Sequence, residues 1–326
     1  MMESATVSRP AQVPARPQPS WRHIKDRLAG KLFFLITALP LVLVLAMIVA
    51  LLLRVRPILE TESAWQLLTG QTWRPRQGEF GFYPFIVGTL WVTGSAMLLA
   101  VPPSLLTAIY LVEYARPQTR ATMKPLLDLL AGIPSVVYGV WGVVAIVPWV
   151  QRFLAPTLGK WLGFIPLFAV NNPSGFSVLA GSIVLAVMVT PVIIAVSYEV
   201  LQTVPDGLRE ASLAIGATRW QTVKHAVLPK ALPGVIAGIV LGFSRAFGET
   251  MAVLMVVGNV AHVPTSIFDP AYPLTALIAN NYGEMMSIPL YDAALMGAAL
   301  ALLLVVLAFN IASALILRRV VRRAGA

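Results

Sequence analysis

The chain contains no cysteine. Disulfides, thiolate metal sites and thiol catalysis are therefore excluded together. Charge is scarce as well: Asp, Glu, Lys and Arg make up 12% of the residues, against roughly 25% in soluble domains. Histidine occurs only at His23, His225 and His262, far apart and outside the apolar runs. No H-E-x-x-H is present, so a zinc hydrolase gains no support. The chain also lacks G-x-S-x-G, and a membrane-embedded enzyme has no catalytic constellation to rest on. It lacks G-x-x-x-x-G-K-[ST] too, so it has no phosphate-cradling loop with which to hydrolyse ATP.

Apolar residues are abundant. They make up 58% of the chain, and the mean hydropathy is +0.79. The 326 residues read as an all-α integral membrane protein. Six apolar segments, near 32–53, 83–112, 126–150, 176–200, 231–260 and 292–317, each cross about 30 Å of hydrocarbon at about 1.5 Å per residue. The first is too long for a signal-peptide core and fits an uncleaved span. Residues 1–31 are rich in Pro, Ser, Gln and Arg and read as a disordered tail, with a short interfacial helix near Trp21–Leu28. Residues 318–326 form a basic C-terminal tail. Prolines at Pro40, Pro102, Pro103, Pro134 and Pro191 are expected to bend spans. Gly234, Gly238 and Gly242 form a small-residue stripe suited to close helix packing.

The net charge of +10 raises nucleic acid as a partner, but its distribution argues for a membrane instead. With both termini inside, the inner segments hold 17 Lys and Arg and the outer loops 6. This places both termini in the cytoplasm, with membrane lipid rather than nucleic acid around the chain.

The loop over 204–230 is too patterned for a connector. Pro205-Asp206 supplies a helix start. Leu208, Ala211, Ser212 and Ile215 fall on one helical face. Gly216 suits a left-handed stop, and Thr218 suits the cap of a second short helix that ends at Leu228-Pro229. Two short amphipathic helices hinged at a glycine either lie on the membrane surface or dock a cytoplasmic partner.

The residues Glu210-Ala211-Ser212, Gly216 and Leu228-Pro229 resemble the coupling-loop signature of ABC importer permeases: E-A-A, three residues, G, nine residues, I, one residue, L-P. Ser212 replaces the second Ala, and Ala226 replaces the usual Ile. Further stretches, LLAGIPSVVYGVWG (129–142), SRAFGETMAVLMVVGN (244–259) and TWRPRQGEFGFYPFIVGTLWV (72–92), are similar to the phosphate-specific PstC permeases. The resemblance covers nearly the whole chain from the first span onward. It implies the type I importer (MetI-like) architecture and a PstA-like second permease forming a heterodimer. It also implies two copies of an ATPase that bind the coupling loop, ATP bound by those copies and no cofactor of the chain's own, and an external phosphate-binding protein. The setting it implies is a bacterial inner membrane. Sulfate and molybdate permeases share the coupling loop, so another oxyanion remains open, as does an ATP-independent anion transporter.

Arg245 and Glu249 interrupt the fifth apolar run. A charge at the centre of a span costs about 2.5–3.5 kcal/mol on insertion scales, so neither faces lipid. Read as one continuous helix, their i, i+4 spacing puts both on one face. They then form either an internal ion pair or part of an anion path, which an arginine fork suits. The resemblance favours the path. Asp128 and Glu199 fall near inner span ends, Glu113 at the inner end of span two and Asp292 at the outer mouth of span six. Ser135 and Tyr138 are further candidate hydrogen-bond donors to an oxyanion.

Overall fold

The computed structural model describes residues 21–283, 288 and 290–324; residues 1–20 of the tail expected over 1–31 lie outside them. Among the described residues, six helical runs are long and apolar enough to cross a membrane: Lys25–Leu59, Tyr83–Tyr114, Ser135–Leu162, Val178–Gln202, Arg219–Gly248 and Tyr291–Val320. Two compact units divide the chain after Ala50. The first is helical: α1 (Trp21–Leu59) starts well before the expected span. No proline lies between Trp21 and Lys31, and Lys, Asp, Arg, Leu and Ala carry the helix past the single Gly30 into the apolar run.

The second unit takes in the end of α1 and continues with α2 (Ala64–Thr69) and a two-stranded hairpin of β1 (Trp73–Arg74) and β2 (Glu79–Phe80), paired Trp73 to Phe80. Span two is α3 (Tyr83–Ile109) prolonged by a π-helical turn over Tyr110–Tyr114. α4 (Pro117–Gly132) follows, and span three joins α5 (Ser135–Trp141), α6 (Val147–Trp149) and α7 (Ala155–Leu162) through π-helical turns. Span four is α8 (Val178–Gln202). The loop helices are α9 (Asp206–Ala214) and α10 (Arg219–Thr222). α10 runs through a π-helical turn over Val223–Val227 into α11 (Leu228–Gly248). α12 (Met251–Val256), α13 (Leu274–Asn281) and α14 (Tyr291–Ala324) complete the order.

The most buried span is α8, with α3 packed along it and α11 on another side. The glycine stripe explains the second contact. A Cβ on Gly234 would come within 2.5 Å of Val200, and one on Gly242 within 2.6 Å of Ile193. Without those side chains the α11 backbone closes onto α8. Apolar clusters fill the middle (Val92, Val184, Leu185, Val256), the end bearing the hairpin (Ile58, Phe85, Leu277, Tyr291), and the end bearing α9 (Ala108, Leu201, Val227).

Four further boundaries differ from the sequence reading. The expected span over 126–150 breaks at Ile133-Pro134: Ile133 is extended and α5 starts after the proline. Proline lacks an N–H, and its ring disfavours helical backbone in the residue before it. The expected span over 231–260 begins earlier and ends at Gly248, where Glu249 turns extended (φ −71°, ψ 125°). Leu228-Pro229 does not end a helix: the π-helical turn over Val223–Val227 runs directly into α11, and Pro229 is the second residue after it. The basic residues from Arg318 continue α14 instead of forming a separate tail.

Candidate transport path and coupling site

The loop over 204–230 folds as its residues dictate. The backbone of Gly216 is left-handed (φ +86°), with its N–H on Leu213 O at 3.0 Å and the N–H of Ala217 on Ser212 O at 3.3 Å. Nothing lies where a Cβ would go, so the backbone angle alone calls for glycine. Thr218 and Gln221 form a reciprocal capping box at the start of α10. Ser212 lies within 2.9 Å of the Thr222 hydroxyl, and that bond ties α9 to α10. Glu210 and Ala211 are exposed, Leu228 is half-buried and Pro229 is exposed. Ile215 is 87% exposed, with Leu213 and Trp220 also bare. An apolar tip of this kind on a charged loop is an interaction surface in waiting.

Arg209 was not among the sequence candidates. Its side chain is 16% exposed and reaches Glu113, 11% exposed, at 3.0 Å. Sequence pattern could not link two residues 96 positions apart; only their shared end of the bundle hinted at it. Glu113, by contrast, had been placed at the end of span two, where it stands. Asp128 and Glu199 line one small cavity with Arg120 and Lys124, and Asp292 pairs with Arg54 at 3.3 Å.

The break after Gly248 changes the reading of Arg245 and Glu249. They do not share a helical face, because Glu249 is outside the helix. The Glu249 carboxylate accepts the N–H of Ala252 in the first turn of α12 at 3.1 Å, and its carbonyl accepts the Thr275 hydroxyl at 3.1 Å. Among the described residues, Arg245 and Glu249 form no ion pair. Arg245 is exposed, and its Nη2 makes one long bond, 3.4 Å, to Ala131 O in the last turn of α4. Tyr138 donates to Leu130 O in the same turn at 2.8 Å. A cation suits that carbonyl-rich helix end. Nearby, the Ser244 hydroxyl donates to Asn310 of α14 at 3.0 Å, a polar pair the apolar runs concealed. Gly242 lies against Ile193 in the middle third of α8, and Arg245 follows within one turn.

Residues 100–325 match the family model of the binding-protein-dependent transport system inner membrane component. The chain belongs to that family. Within it, the chain is 38% identical to the phosphate transport system permease protein PstC of Pasteurella multocida over 256 residues, 78% of this chain and 79% of that one. It is 34% identical to PstC of Xylella fastidiosa over 314 residues, 94% of this chain and 96% of that one. Among solved structures, a bacterial ABC transporter involved in import of the polysaccharide alginate aligns with a TM-score of 0.58, covering 91% of this chain and 99% of that one at 18% identity. At that identity the likeness is one of fold, and it places this family member in the type I importer architecture.

Proposed function

We propose that this permease subunit carries inorganic phosphate across a bacterial inner membrane, in an importer driven by ATP. The observation that carries the substrate is its similarity, over most of its length, to relatives described as phosphate permeases. In this reading both termini and the loop over 204–230 are cytoplasmic, as the Lys and Arg bias favours. A separate ATPase, present in two copies, binds ATP and takes the exposed tip of α9 and α10, with Glu210, Ala211, Ser212 and Gly216 shaping the docked helix. A PstA-like second permease completes the path, and an external phosphate-binding protein delivers to the opposite face.

Arg245 is the path residue in this reading. Its guanidinium is exposed and holds one weak bond, which leaves most of its donors for an oxyanion. Glu249 shapes the path by capping α12 beside it. Closure of the ATPase dimer moves the coupling helices as rigid bodies and alternates access to Arg245. Competition among phosphate, sulfate and molybdate for uptake in cells dependent on this chain tests the substrate. Phosphate should win; equal or better uptake of sulfate or molybdate would move the assignment to another oxyanion. Glu210→Lys should weaken retention of the ATPase without altering membrane insertion, and unchanged retention would misplace the docking surface.

A further inference from the structure

The guanidinium of Arg209 joins three elements. Its Nε and Nη2 donate to Glu113 at 3.1 and 3.0 Å, in the π-helical turn that ends span two. Nη2 also donates to Leu201 O at 2.9 Å, at the end of span four, and Nη1 to Val204 O, just after it. Nη1 further meets Asp206 in the first turn of α9 at 3.1 Å. All five N–H groups thus have partners. The π-helical turn is a junction in its own right: Arg120 of α4 donates to Val112 O within it. Turns of this kind widen the backbone ladder and recur at functional sites. On α9 itself, Glu210 and Leu213 are exposed, as is Ile215 just after it, while Arg209 points inward.

We propose that Arg209 is the positioning residue through which movement of α9 reaches spans two and four. The helix has two sides with different tasks: an outer side that meets a partner, and an inner arginine that fixes it to two spans at once. A lysine supplies a point charge and three donors without the planar fork, and so cannot reproduce the carboxylate clasp together with both carbonyl bonds. α9 and the ends of α3 and α8 then move as one body. The path lies against that body, since α11, which bears Arg245, packs along α8. This inference rests on the ATPase-docking reading above.

The test uses the whole complex with its second permease, ATPase and binding protein, reconstituted in liposomes. ATPase retained on purification, ATP hydrolysed and phosphate taken up are measured together. For Arg209→Lys and Glu113→Gln, ATPase retention should match the native complex while phosphate carried per ATP falls about tenfold, within the usual range of coupling between sites. Because the chain has no cysteine, Glu113→Cys/Arg209→Cys supplies the only two thiols on this subunit. Joining them with a short bis-maleimide should bring phosphate per ATP back to within about threefold of native, since the link restores the mechanical tie. Unchanged coupling in both single variants, or no recovery on joining, overturns the proposal. ATPase loss confined to the variants also overturns it, because the pair would then shape the docking surface instead of transmitting motion. If Arg209→Lys is not recovered in the membrane, Glu113→Gln carries the same reading. A native complex that retains no ATPase overturns the docking reading itself, an outcome separable from all of these.

Discussion

At the scale of single residues, charges and hydroxyls have different kinds of work. Arg245 has little to hold it in place, so Arg245→Gln should reduce phosphate uptake by about tenfold or more while assembly on a sizing column stays normal. Normal uptake would make the arginine structural. Ser212 departs from the usual alanine, and its hydroxyl meets Thr222, which is 3% exposed. Ser212→Ala should cost about 1–3 kcal/mol by stranding a buried hydroxyl, whereas Ser212→Ala/Thr222→Val should recover much of that. Thermal unfolding of the purified complex reads both. Asp269, 5% exposed in the loop before α13, behaves differently. Burial alone pushes its carboxyl up, but N–H groups of Ser266 and Thr265, the Thr265 hydroxyl and the Asn171 amide outweigh burial and hold it below its ordinary value. A carboxyl held down on folding stabilises above its unfolded value of about 3.9, and that contribution is lost as pH falls through the folded value. Asp269→Asn should therefore lower the melting temperature at neutral pH, and the gap to the native protein should narrow below about pH 4.

At the scale of elements, glycines with similar sequence roles separate by cause. Gly234 is required by contact: a Cβ meets the stiff, branched Val200 at 2.5 Å. Gly216 is required by backbone angle, in open space. Gly234→Val should thus loosen α11 from α8 and lower the yield of folded protein. Gly216→Val should leave the bundle folded and impair ATPase retention, at a local cost of about 1–2 kcal/mol. Retention of the ATPase by Gly216→Val would show that the turn is not needed for docking. Legibility in the sequence followed the same division. The six apolar runs, the Gly216 stop and the Thr218 cap were readable because neighbours a few residues away dictate them. The break after Gly248 was not, since nothing local forbids helix there. It is fixed by Ala252 and Thr275, which take up the Glu249 carboxylate and carbonyl. Pro134 was visible, but proline alone does not say whether a span bends or ends. The Arg209–Glu113 clasp joins a loop to a span through space and leaves no periodic trace.

At the scale of the molecule, much apolar surface is uncovered. Leu32, Phe33, Phe34, Leu129, Val137, Val144 and Leu241 are all exposed, and Arg245 shares the α11 face with Leu241. Lipid suits the leucines but not an arginine, which needs a second wall. Expressed alone, the chain should run as aggregates in detergent, and co-expression with the proposed PstA-like partner should give a monodisperse peak; a stable, monodisperse single chain would contradict the proposed shared path. The release of Glu249 from Arg245 has an electrical consequence. Moving an anion inward against a negative interior costs about 2.3 kcal/mol per charge for each 100 mV. A fixed cation cannot alter that total work. On the proposed path, left uncompensated by its neighbouring carboxylate, it would deepen the well at its own level and steepen the climb that follows. Exit from the Arg245 level on that proposed path, rather than entry to it, would be the slow step, and the voltage dependence of uptake would be that of exit.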